Sequence, residues 1–255
     1  MAEALTRHGL LDGEERKQAE KDILIVDDEP GILEMHARMV EVQVPGCRVL
    51  RAQNGREALE AIRQERPDLV LLDLMMPELD GFGVLEALRE EEMSRNIPVI
   101  VLTGQVLTEE DMARLNRGVA SVLEKGLFSV EETLEHVAAA LERKRKPGSE
   151  TQRIVLKAMA FIHARYTEPL SRRDIAAHVG LSERHLDRCF RQEVGVTPIT
   201  YLNRYRVRQA KVLLEAGGRS ITEVAMEVGF STGGYFTRVF RQEVGMPPRT
   251  FLRSQ

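Results

Sequence analysis

"LVLLDLMMPELDGFG", residues 69–83, is the stretch on which the reading of the fold turns. A short apolar run bounded by turn residues has the pattern of a strand buried on both faces of a parallel sheet. Here the run ends in a charge, Asp73, and passes straight into a loop holding Pro77, Asp80 and Gly81. A carboxylate at the carboxyl end of a parallel strand sits at the rim of an α/β sheet, where strand ends and helix starts converge and ligands bind. A lone Asp at such a place is ordinarily the cap of the next helix, so the meaning of Asp73 depends on what the other strand ends carry.

Four more runs of the same kind occur: "ILIV" (23–26), "RVL" (48–50), "PVIVLT" (98–103) and "SVLE" (121–124). Amphipathic segments such as "GREALEAIRQE" and "VEETLEHVAAALERK" lie between or after them. This alternation predicts an α/β doubly wound sheet of five parallel strands. Asp27 and Asp28 follow the first strand, Asp73 ends the third, Thr103 ends the fourth and Lys125 follows the fifth. Two adjacent acids beside a third repel one another unless a cation neutralises them. Mg²⁺ suits such a site, because it takes one or two carboxylates and fills its octahedron with waters and phosphate oxygens. That would leave one Asp oxygen free to attack a phosphoryl group, with Lys125 pairing to a phosphoryl oxygen and Thr103 donating a hydrogen bond to another.

Over residues 22 to 145 the chain resembles the flavodoxin-like receiver domain of two-component response regulators. The motifs that carry the resemblance are "ILIVDDEP", "LLDLMMPELDG", "VIVLTG" and "VLEKG". The resemblance implies that Asp73 accepts a phosphoryl group from a cognate histidine kinase. It also implies that Asp27 and Asp28 bind Mg²⁺ with Asp73 and the backbone carbonyl of Met75, and that Thr103 and Lys125 hold the phosphoryl group. Receivers usually carry an aromatic ring or His three residues before the lysine; this chain has Val122 there. The usual inward swing of that ring is therefore not expected.

The 255 residues, 43% hydrophobic and 30% charged, give room for two domains with their own cores. No apolar run approaches the roughly 18 residues needed to span a bilayer, and the N-terminal stretch is polar, so a cytoplasmic protein with no membrane partner is expected. Cys47 and Cys189 lack metal-ligand or CxxC spacing and read as reduced core residues. The net charge of −4 conceals a division at "KRKPGSE" (144–150). Residues 1–149 carry 19 Lys and Arg against 30 Asp and Glu, a net of −11, whereas residues 150–255 carry 17 against 10, a net of +7. Only the second half suits a polyanion. The expected organisation is an extension over 1–21, the receiver over 22–145, a linker over 146–150 and a second domain over 151–255.

That second domain contains a repeat. "DIAAHVGLSERHLDRCFRQEVGVTPITYL" and "EVAMEVGFSTGGYFTRVFRQEVGMPPRTFL" match at Ala176 and Ala225, Gly180 and Gly229, Phe190 and Phe240, and Pro198 and Pro248, with one extra residue in the second copy. Each copy reads as helix, glycine turn and Ser-capped second helix, a helix-turn-helix with Ser182 and Ser231 as caps. The second helix of such a motif offers its first residues to the major groove. Core spacing buries Leu186, Cys189 and Phe190 in the first copy and Phe236, Val239 and Phe240 in the second, which leaves Arg184, Asp187 and Arg188 facing out. In the intervening "YLNRYRVRQAKVLLEAGG", Arg204, Arg208 and Lys211 share a basic face suited to phosphate, while Arg206 projects to the apolar side and is expected to be hydrogen-bonded inside.

Residues 150 to 255 are similar to the AraC/XylS-type DNA-binding domain, on "RYRVRQAKVLL", "ITEVAMEVGFS", "YFTRVFRQEVGMPP" and "GLSERHLDRCF". The resemblance implies that one monomer reads two successive major-groove segments of double-stranded DNA, with Arg184, Asp187 and Arg188 in the first and Gly233, Gly234, Thr237 and Arg238 in the second. RNA polymerase and a second copy of the chain stay open as further partners. The expectation is a regulator and not an enzyme. A Mg²⁺-dependent phosphatase would need a DxD nucleophile on its first strand, which "VDDEPG" lacks. The output end of a hybrid sensor kinase would carry kinase motifs, and a phosphorylation-independent DNA-binding regulator would not need an intact acid set.

Overall fold

The computed structural model describes residues 21–104, 107–115, 119–142 and 149–253. Residues 1–20 of the expected extension over 1–21 and residues 146–148 of the expected linker over 146–150 lie outside the described residues, whereas Lys21 opens the first strand and Ser149 and Glu150 start a helix.

Five parallel strands, β1 (Lys21–Val26), β2 (Cys47–Ala52), β3 (Leu69–Leu72), β4 (Val99–Thr103) and β5 (Ser121–Glu124), form one sheet in the order β2-β1-β3-β4-β5. β3 stops one residue before Asp73, although the Asp73 amide still donates to the Val26 carbonyl at 2.9 Å. The two-residue period of the strands sorts their side chains onto two faces. Ile23, Ile25, Leu69, Leu71, Ile100, Leu102 and Leu123 pack with α1 (Pro30–Gln43) and α5 (Val130–Leu141). Leu24, Val26, Val70, Leu72, Val99, Val101 and Val122 pack with α2 (Gly55–Glu65), α3 (Gly81–Glu90) and α4 (Glu109–Leu115). Asn54, Asp80 and Ser129 start α2, α3 and α5, each accepting a hydrogen bond from a backbone N–H of the first turn. The cap of α3 is thus Asp80, which leaves Asp73 without that ordinary role.

The rest of the chain is helical: α6 (Glu150–Arg165), α7 (Arg172–His178), α8 (Glu183–Val194), α9 (Pro198–Ala216), α10 (Ile221–Glu227), α11 (Gly233–Val244) and α12 (Pro248–Arg253). The repeat is visible in the caps. α7 and α10 both begin with a capping box, Ser171 with Asp174 and Ser220 with Glu223. α8 and α11 both end on a left-handed glycine, Gly195 and Gly245. α8 starts at Ser182 as expected, whereas α11 is capped by Thr232 and not by Ser231. The extra residue of the second copy moves the cap one position on, and a threonine hydroxyl serves as well as a serine one.

Two separate cores were expected, and the structure differs. The sheet face that carries Val122 continues without a break into Val155, Leu156 and Met159 of α6, Leu186 and Phe190 of α8 and Tyr201 and Tyr205 of α9. The second helix-turn-helix has a core of its own around Val224, Phe236, Phe240 and Phe251. Among the described residues, the receiver-like half is therefore fused to the first motif and reaches the second through α9 and a few polar contacts.

Candidate functional site

The order β2-β1-β3 places the switch point of the sheet between β1 and β3, and the acids converge at the carboxyl ends of these two strands. Carboxylate oxygens of Asp27, Asp28 and Asp73 lie within 4.8 Å of one another. Asp27 and Asp73 are buried and Asp28 is exposed. Asp27 accepts from the Glu29 amide at 3.1 Å and Asp73 from the Met75 amide at 3.2 Å, so one oxygen of each is pinned by its own loop. Gly81 stands so close to the Asp73 carbonyl that a Cβ there would collide with backbone, which explains why the loop after β3 needs a glycine at that turn.

Lys125 closes the group, its ammonium lying 2.7 Å from Asp27 and 2.6 Å from Asp73. Burial works against this ammonium, but its hydrogen bonds to the two carboxylates outweigh burial and hold its pKa above the ordinary lysine value. A single ammonium cannot neutralise three carboxylates, and the donor set is all oxygen. That chemistry fits a hard divalent cation such as Mg²⁺. Thr103 is fully buried at the end of β4, and its carbonyl accepts from the Lys125 amide at 2.7 Å, which ties the two residues together through the backbone.

In the helical half, Arg184 and Arg188 are exposed on the first two turns of α8. Asp187 does not face freely outward as expected: Arg172 holds its carboxylate at 3.0 Å and also binds Glu183 at 2.6 Å. Gly233 and Gly234 form the first turn of α11, Arg238 is exposed over the ring of Tyr235, and the Thr237 hydroxyl donates to the Gly233 carbonyl at 2.9 Å. Arg206 is inside, as its helical position predicts, donating to the Tyr166 and Glu168 carbonyls at 2.7 and 2.6 Å. Burial lowers its pKa.

The basic face of α9 is placed differently from the expectation. Arg204 binds Glu132 of α5 at 2.9 Å and Glu243 of α11 at 3.1 Å, and Arg208 binds Glu124 at 2.9 Å. These arginines face the acidic half of the same chain. Glu124 is the residue that sequence reasoning missed. It is buried at the end of β5, where the Tyr201 hydroxyl donates to it and His163 Nε2 lies 2.6 Å away. The signal was present in "SVLEKG", an apolar run that ends in an acid as the run before Asp73 does.

With this geometry in place, comparison with known proteins gives two domain matches. A model of the response regulator receiver domain matches residues 23–138, and a helix-turn-helix domain model matches residues 175–254. "Probable transcriptional regulator ycf27" of Guillardia theta is 31% identical over 206 residues, which cover 67% of this chain and 78% of that protein. The chain belongs to the response regulators. "Response regulator MprA" of Mycolicibacterium vanbaalenii is 40% identical over 121 residues, 48% of this response regulator and 50% of that protein. A solved AraC-type transcriptional regulator from Chromobacterium violaceum is 34% identical, with 40% of this chain and 92% of that one covered at a TM-score of 0.38. This response regulator spans about half the length of MprA and of other curated relatives that it matches. Among the described residues no helix is long and apolar enough to cross a membrane.

Proposed function

We propose that this response regulator is a transcription factor in which phosphorylation of Asp73 by a partner histidine kinase controls sequence-specific binding of double-stranded DNA. The receiver would occupy residues 22–145 and the DNA-binding domain residues 151–255. The observation that carries the reading is the buried Asp73 carboxylate, set beside Asp27 and Asp28 and held by Lys125 at 2.6 Å. In the transfer, an Asp73 oxygen forms the new bond to phosphorus as the phosphorus–nitrogen bond of the kinase phosphohistidine breaks, and the nitrogen keeps the electron pair.

Asp27, Asp28, Asp73 and the Met75 carbonyl would hold Mg²⁺, which supplies positive charge to the phosphoryl oxygens. Lys125 already has its ammonium at Asp73 and needs only a small turn to pair with a phosphoryl oxygen. Thr103 would donate to another. On the DNA side, Arg184, Arg188 and Arg238 present donors to base edges, Thr237 offers its hydroxyl oxygen as an acceptor and its methyl group, the backbone at Gly233 and Gly234 approaches phosphate closely, and Asp187 positions the first helix through Arg172.

The test uses a small phosphodonor, acetyl phosphate, with Mg²⁺. It should label one aspartate with an acid-stable, alkali-labile phosphoryl group, and Asp73→Asn should abolish the label. Undiminished label in that variant would move the acceptor elsewhere and overturn the reading.

A further inference from the structure

The buried acid at the end of β5 is not used by the phosphoryl chemistry, and its side-chain partners among the described residues come from the DNA-binding half. Tyr201 of α9 and His163 of α6 meet Glu124 Oε1, and Arg208 of α9 meets Oε2 at 2.9 Å. The Glu124 side chain is fully buried, and that of Arg208 is about one-fifth exposed. A carboxylate removed from water to this degree persists only with its partners in place. Burial, with Glu124 beside it, pushes the Tyr201 hydroxyl well above its ordinary pKa, so it remains a donor.

The position of these groups in the chain matters as much as their contacts. Glu124 precedes Lys125, and Gly104 follows Thr103. The guanidinium of Arg208 binds both Glu124 and the Gly104 carbonyl, so it bridges the ends of β4 and β5. Each contact lies one residue from a group proposed to close on the phosphoryl oxygens. The Lys125 amide is bonded to the Thr103 carbonyl, so a shift of one strand end carries the other. Arg204, one turn earlier on α9, extends the contact by bridging Glu132 of the receiver and Glu243 of the second helix-turn-helix.

We propose that Glu124 and Arg208 form a latch that holds the DNA-binding domain on the receiver in the unphosphorylated chain, and that movement of Thr103 and Lys125 onto a phosphoryl group at Asp73 releases it. The proposal rests on the reading of Asp73 as phosphoacceptor, and it gives that reading a route. An aromatic switch is missing at Val122, and Val122 itself packs against Val155 and Met159 of α6. The signal instead passes through backbone adjacency to a pair of polar groups that read both strand ends. Release would free α9 to take the orientation that DNA requires of the two motifs.

The latch is tested in the full chain without phosphodonor. Glu124→Gln keeps the shape and removes the charge, and Arg208→Ala removes the bridging group from the partly exposed side. Both variants should exchange the amides of residues 119–124 and 150–165 about tenfold faster than wild type and show a larger radius of gyration in solution scattering. Glu124→Gln should also bind DNA several-fold more tightly at fixed salt, and phosphorylated wild type should show the same faster exchange. Exchange in both variants within about twofold of wild type would overturn the latch. An opened Glu124→Gln that binds DNA no more tightly would do so too. Phosphodonor labelling of Glu124→Gln reports whether its receiver has folded; if it has not, Arg208→Ala decides. Absence of label on wild-type Asp73 would overturn the phosphoacceptor reading alone, since the latch is judged in unphosphorylated protein.

Discussion

His36 of α1 shows how strongly a single buried group answers to its surroundings. Its ring is about nine-tenths buried, and Nδ1 has no hydrogen-bond partner among the described residues. Burial is the main cause that lowers its pKa from the ordinary value of 6.5; Lys125 adds to this, while Asp27 and Asp73 oppose it. The unfolded chain therefore binds this proton at a pH where the folded chain does not, and stability falls as pH drops below about 6.5. The cost is at most about 1.4 kcal/mol per pH unit for one proton. Urea unfolding at pH 7.5 and 5.5 should show a smaller acid loss in His36→Met than in wild type; equal losses would mean that the imidazole protonates freely inside the fold. Legibility at this scale follows distance along the chain. Asp27, Asp28 and Asp73 could be picked out because each adjoins an apolar run that announces a strand. Glu124 adjoins one as well, but two of its partners, Tyr201 and Arg208, lie 77 and 84 residues further on, and no local pattern announces such a pairing.

Among the elements, the two recognition helices were legible as a repeat, and their difference was legible too. With Thr232 in place of Ser231 as the cap of α11, Gly233 and Gly234 are its first two helical residues. Glycine costs about 1 kcal/mol relative to Ala in a helix interior, and the first turn escapes part of that. The asymmetry in base reading remains and is sharpened by the structure. On α8, Arg184 and Arg188 are exposed one turn apart, and each can offer two donors to a guanine. On α11 the aligned residues are Gly234 and Arg238, and the Thr237 hydroxyl hydrogen is already given to Gly233. Base changes under α8 should therefore cost roughly 1 to 3 kcal/mol each, clearly more than changes under α11, in binding assays at one fixed salt concentration. Arg184→Ala should relax discrimination in the α8 half-site only. Equal costs in the two half-sites would show that the glycine turn of α11 does not limit base reading.

For the whole molecule, the division into an acidic and a basic half was plain in the sequence, but its use was not. The charges of α9 suggested a face for phosphate, and the structure turns Arg204 and Arg208 toward Glu132 and Glu124. Basic side chains look alike in sequence whether they await a nucleic acid or an acidic neighbour in the same chain. The apolar part of the junction decides how tightly the halves are joined. Val122 belongs to one packed cluster with Val155, Leu156 and Met159 of α6. One packed core thus crosses the boundary between the receiver and the first helix-turn-helix. Cooperative unfolding follows the extent of such a core, so unphosphorylated wild type should show one calorimetric transition for both. Val122→Lys puts a charge into this seam and beside a basic domain. Among Val155, Leu156 and Met159 the ammonium loses its water, and even with Glu193 of α8 lining the same seam the substitution should cost about 2 kcal/mol of interdomain contact. Val122 lies on the edge strand β5, in the cluster that also holds α6, so the receiver itself should keep its fold and its Asp73 labelling. The variant should then unfold in two transitions, one of them shifted by a phosphodonor with Mg²⁺ and the other by DNA. Two transitions already present in wild type would show that the shared core is too weak to bind the halves into one unit.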